Sequence, residues 1–185
     1  DCFRFTAEAG QVISCEVIAG RLGSRLDPVV ELLDSNGRKV EAELAHVGTD
    51  PVLVFWSKST AEYVLRIANV TFGGDPAHVY RINIRPEPFP RMALPGGVSR
   101  ATLAANDLQV LRLTGDRGDL NEALGLVLPQ QAAAVDRWTV FEPMVWPLTL
   151  SIDEHPTVVE QEPNDERGKS QAIVASSVLY GQFAS

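Results

Sequence analysis

From Asp1 to Ile84 apolar and polar side chains alternate with a period of two, and turn residues break the alternation at intervals of about 8 to 12 residues. A helix repeats every 3.6 residues, so such a stretch buries one continuous face only as extended strands. The pattern predicts seven strands and no long helix: Cys2–Thr6, Val12–Ala19, Val29–Leu33, Lys39–Ala45, Pro51–Trp56, Tyr63–Ile67 and Tyr80–Ile84. Turns are expected at Glu8-Ala9-Gly10, at Asp34-Ser35-Asn36-Gly37 and at Gly73-Gly74-Asp75-Pro76. Parity turns Phe3, Phe5, Cys15, Tyr63, Leu65 and Ile67 inward, and likewise Tyr80, Ile82 and Ile84. The fold class that follows is all-β, an antiparallel β-sandwich.

Two cysteines, Cys2 and Cys15, are too few for a disulfide scaffold or a structural zinc site. Placed on neighbouring strands of a first hairpin, they face opposite sides, which argues against a bridge and leaves Cys15 a buried thiol.

Arg85 to Gly97 holds Pro86, Pro88, Pro90 and Pro95, and proline at this density removes ladder donors and stiffens the backbone. The stretch reads as a linker or boundary. Beyond it, Ala101–Leu103, Gln109–Thr114, Leu124–Leu128, Trp138–Phe141 and Leu148–Ile152 read as strands of a second, smaller sandwich. Asn121–Ala134 is also compatible with a short helical turn on either side of Pro129. The last segment has an acidic run from Glu160 to Asp165, then strands at Ile173–Ala175 and Val178–Phe183.

The formal net charge is −8 and the isoelectric point about 4.9, so the field of the molecule repels nucleic acid and anionic membrane. No apolar run approaches the roughly 18 residues that cross a bilayer, and no positively charged start leads into an apolar core of a signal sequence. Neither nucleic acid nor membrane insertion is expected. Asp1 opens directly on strand-like sequence, as expected of a section of a longer chain.

Asp1 to Ile84 resembles the bacterial pre-peptidase C-terminal (PPC) domain family. The likeness rests on Asp1-Cys2-Phe3-Arg4-Phe5, Ala9-Gly10-Gln11, Leu26-Asp27-Pro28 through Leu32-Leu33-Asp34, Asn36-Gly37, Tyr63-Val64-Leu65-Arg66-Ile67 and Tyr80-Arg81-Ile82-Asn83-Ile84, in that order and spacing. Glu162-Pro163-Asn164-Asp165 through Gly181-Gln182-Phe183 is similar to the opening of such a domain, which precedes the Asp-x-Phe strand. The resemblance implies a window across a tandem array. Residues 1–85 form a PPC-type, jelly-roll-like sandwich lacking its opening strand, residues 86–159 a linker with an Ig-like spacer, and residues 160–185 the opening segment of a further copy. A missing opening strand leaves an exposed edge, and the tail is expected to fold back and complement it.

The resemblance also implies a calcium site. Glu160, Glu162, Asn164 and Asp165 are oxygen donors arranged as in the calcium-binding linker of PPC-type collagen-binding domains, with Asp1 and Ser185 completing the set if the two ends meet. Read without the resemblance, the same box is a solvated loop with a capping residue.

Other constellations read as ordinary. His46, His78 and His155 are scattered without metal spacing, and no serine elbow or cysteine–histidine arrangement suggests a nucleophile, so no catalytic residue is assigned. Arg117-Gly118-Asp119 reads as a plain loop and Asn69-Val70-Thr71 as an incidental sequon. Trp56, Trp138 and Trp146 sit in or beside apolar runs and are expected in cores rather than on a sugar platform. The resulting expectation is a non-catalytic accessory module of a secreted, periplasmic or surface-displayed bacterial protein, serving in spacing, targeting or stabilisation, with Ca2+ as the implied ion. Its partners are other domains of the same polypeptide and an extracellular protein or polysaccharide. The competing expectations are a carbohydrate- or collagen-binding module and part of a secreted peptidase.

Overall fold

The computed structural model describes residues 1–103, 106–115, 120–140 and 147–182. Arg117-Gly118-Asp119, Trp146 and Ser185 therefore lie outside the described residues. The chain divides into two compact units, Asp1–Phe89 with Leu113–Leu120, and Pro90–Arg112 with Asn121–Ser185.

The first unit contains β1 (Cys2–Ala7), β2 (Val12–Ile18), β3 (Pro28–Asp34), β4 (Glu43–Val47), β5 (Asp50–Trp56), β6 (Ala61–Asn69) and β7 (Arg81–Arg85). They form two sheets with strand orders β1-β6-β3 and β4-β5-β2-β7. Every ladder in both is antiparallel. In one sheet Tyr63 sits opposite Phe5 and Leu65 opposite Phe3, with Leu32 and Val30 facing Leu65 and Ile67 from the other side. In the other sheet Ile13 sits opposite Phe55, and Cys15 opposite Leu53 and Ile84. The inner faces share one core of Ile13, Cys15, Val17, Leu32, Phe55 and Leu65 among others, so the unit is an antiparallel sandwich as the alternation requires. Phe55, Leu65 and Leu32 are almost wholly buried, each contributing about 1.5–3 kcal/mol through area removed from water. Phe3 on edge strand β1 and Ile84 on edge strand β7 fall short of their expected inward burial, each 38% exposed.

Two details differ from expectation. The connection through Glu8–Gln11 is no hairpin: β1 pairs with β6 and β2 with β5 and β7, so Cys2 and Cys15 belong to different sheets, both as free thiols. The return strand after Gly37 is interrupted, leaving Lys39 as an isolated bridge to Leu33 before β4 begins at Glu43.

The second unit holds β8 (Phe89–Leu94, whose first residue belongs to the first unit), β9 (Gly97–Ser99), β10 (Asn106–Leu113), β11 (Leu120–Leu126), β12 (Arg137–Val140), β13 (Leu148–Asp153), β14 (Thr157–Val159) and β15 (Val178–Tyr180). Sheets β11-β10-β8 and β12-β13-β9 contribute to one core that includes Val98, Leu108, Val110, Leu126, Leu150 and Ile152. The proline-rich stretch read as a linker thus contains a strand. Pro90 lies on β8, an edge strand, the place in a sheet where proline is tolerated. The strand expected at Ala101–Leu103 is at Gly97–Ser99 instead, pairing in parallel with β13, and the helical turn is a short 3-10 segment after Pro129, Gln130–Ala134. No strand forms at Ile173–Ala175. Val178–Tyr180 ladders in parallel with Thr157–Val159, so the described strand of the tail pairs with β14 rather than β1.

Candidate functional site

Three places gather polar side chains. The first is the acidic box. Glu160 accepts the Asn164 side-chain amide at 2.9 Å through one oxygen and the Gln182 backbone N–H at 2.8 Å through the other, and these bonds hold its carboxyl below the usual carboxylate range. Glu162 accepts the Asn164 backbone N–H at 3.0 Å. Together with Tyr180, whose hydroxyl donates to Asp153 at 3.0 Å, these bonds fasten the tail. Gly97 leaves the room for this contact: a β-carbon there would lie 2.7 Å from the Asp153 carboxylate and collide with the Tyr180 hydroxyl. The box brings Glu160, Glu162 and Asn164 to one turn, with exposed Asp165 beside them, while Asp1 is part of the first unit. Calcium takes six to eight oxygens. Among the described residues no group of three or more His, Cys, Asp or Glu side chains is placed to hold a metal, so the box as folded falls short of a complete shell.

The second place is buried and structural. Asp50, with no exposed surface, accepts the backbone N–H groups of Ala19 at 2.9 Å, Gly20 at 2.6 Å and Arg21 at 3.2 Å, and the Arg21 Nε–H at 2.7 Å. Arg21 also pairs with Glu16 at 2.8 Å, and Asn83 donates to the other Glu16 oxygen at 2.8 Å. Burial pushes the Asp50 carboxyl up, but the Arg21 guanidinium and the three N–H donors outweigh it and bring it below the ordinary value. The sequence pattern did not single out Glu16 or Asp50. A carboxylate directly before Pro51 at the start of an apolar run was the available signal.

The third is a pocket of about 420 Å3 at the end of the sandwich where the β6–β7 loop and Asp1 meet. Leu26, Ile67 and Ala68 give it apolar wall, and Asp1, Asn69, Asp75, His78 and Tyr80 give it polar wall. Asn69 braces the loop, donating to the Thr71 hydroxyl and the Gly73 carbonyl and accepting the Asp27 N–H. Tyr80 donates its hydroxyl to Asp1, and Asp75 accepts the Ala77 N–H at 2.7 Å. The buried Nδ1 of His78 has no hydrogen-bond partner among the described residues. Phe72 stands at the mouth, 89% exposed and in the left-handed region at φ 56°, a conformation that costs an L-residue roughly 1–2 kcal/mol. The sequence reading recognised the Gly73–Pro76 turn but not this site.

His46 lies on β4 and His155 after β13, and among the described residues none of the three histidines hydrogen-bonds a serine or cysteine side chain. Trp56 and Trp138 are partly buried, and no helix among the described residues is long and apolar enough to cross a membrane. Comparison with family models, with curated proteins and with solved structures returned no match.

Proposed function

We propose that the chain is a non-catalytic accessory module of a larger secreted or surface protein, of the PPC type in its first unit, and that it spaces, targets or stabilises parts of that protein. The observation that carries the reading is how the buried polar groups are used. Ser57 bonds the Tyr63 hydroxyl at 3.0 Å and the Ser59 carbonyl at 2.8 Å, Ser14 bonds the Glu87 carbonyl, and Asp50 and Glu16 hold the turn at Gly20–Leu22. Each serves the scaffold, whereas a hydrolase needs a base aimed at a nucleophile. Two all-β units, each with its own core, suit a structural role.

Calcium belongs to this proposal as an ion that stiffens the Glu160–Asp165 turn, completing its shell with water or with oxygens from a neighbouring segment. The experiment is twofold. Thermal melting with and without millimolar Ca2+ should raise the midpoint through mass action, and an unchanged midpoint removes the ion. Peptide and ester substrates should be left intact; turnover abolished by His78→Ala or His46→Ala refutes the non-catalytic reading.

A further inference from the structure

The loop pocket combines features that the accessory role does not require. Phe72 gains nothing from burial and is held in a backbone conformation that favours glycine, with two glycines immediately after it. Strained residues of this kind persist where a site uses them. The wall of the pocket is half apolar, and its polar part includes the carboxylates of Asp1 and Asp75, each accepting one hydrogen bond among the described residues. Two carboxylates repel an anionic ligand, and the apolar floor of Leu26 and Ile67 suits no bare metal ion. A ligand that fits both halves carries several hydroxyl donors on one edge and a flat C–H face on the other. The volume of about 420 Å3 lies within the range of roughly 300–1,000 Å3 usual for small-ligand sites.

We propose that this pocket binds one uncharged pyranose unit of a glycan, with Phe72 stacked on the C–H face of the ring and Asp1 and Asp75 bonding its hydroxyls. This is a loop-end site for one sugar, distinct from an aromatic row on a sheet face. It stands whether or not the chain is an accessory module, since substrate turnover tests that reading and retention on glycans tests this one.

The test is affinity electrophoresis of the whole chain through gels containing β-glucan, xylan, galactomannan or chitin-derived oligosaccharide, followed by calorimetry with the polymer that retards it. The expected result is retardation by at least one of them, weakened about tenfold by Phe72→Ala, the scale of one aromatic stacking contact. Asp75→Asn should weaken it as well. Phe72→Gly separates binding from folding: it relieves the left-handed backbone, so binding should fall while the melting temperature holds or rises. Three outcomes overturn the proposal: no retardation by any of the four, retardation equal in Phe72→Ala and the parent, or binding of an oligolysine peptide in place of glycan.

Discussion

Replacing Asp50 tests the principal polar anchor of the first unit. Its carboxylate receives four hydrogen bonds of 2.6–3.2 Å from the turn at Ala19–Arg21, one of them from a guanidinium, with no solvent to substitute for them. Asp50→Ala leaves the buried N–H of Ala19 unpaired and Arg21 with Glu16 alone. Losing the acceptor of four hydrogen bonds, with a buried donor left unsatisfied, costs about 3–4 kcal/mol. At roughly 4–8 °C per kcal/mol for a domain of this size, the midpoint falls by on the order of 20 °C. Asp50→Asn keeps one acceptor but turns an amide donor toward Arg21, so it should cost about half as much.

The assay is melting followed by Trp56 fluorescence, with Trp138 and Trp146 replaced by phenylalanine. A carboxyl whose folded pKa is depressed adds stability that is fully present above its unfolded value, 3.8, and is lost as the pH falls through the folded value. The gap between parent and Asp50→Asn should therefore be widest near neutrality and close in strong acid. A neutral-pH gap under about 0.5 kcal/mol, or one that does not narrow in acid, refutes the reasoning.

Gly115 has φ +73°, and a β-carbon there would lie 2.9 Å from the Phe55 Cα and the Trp56 N, so Gly115→Ala should cost about 2–3 kcal/mol in urea unfolding. Burial pushes the Cys15 thiol up to about 12, so a thiol reagent near neutral pH should label Cys2 alone until the protein is denatured, when both react. Tyr180→Phe removes the bond to Asp153, worth about 1 kcal/mol, and should speed tryptic cutting after Arg167 and Lys169 roughly fivefold.

Although β4 begins at Glu43 and not at Lys39, the period-two pattern made most strands of the first unit readable because it records which face a side chain occupies. It does not record which strand lies alongside. Glu8–Gln11 looks like a hairpin turn, yet the chain crosses there to the opposite sheet, and nothing local to those residues distinguishes the two. A better cue was the unbroken run Val52-Leu53-Val54-Phe55: a strand apolar on both faces belongs inside a sheet, and β5 lies between β4 and β2, whereas β6, central in its own sheet, alternates because one of its faces is half open.

The candidate sites were less legible for the same reason. Asp50 takes its meaning from a turn some thirty residues earlier, and the pocket joins Asp1, Ile67 and His78, which only the closed sandwich brings together. The acidic box shows the reverse case. Its oxygens are adjacent in sequence and offer a ligand set directly, and in the fold two of its side chains also accept from Asn164 while one of these holds Gln182. Contiguous carboxylates advertise themselves whether they bind a cation or cap a turn, so the donors already engaged around each oxygen, rather than the count of acids, separate the two roles.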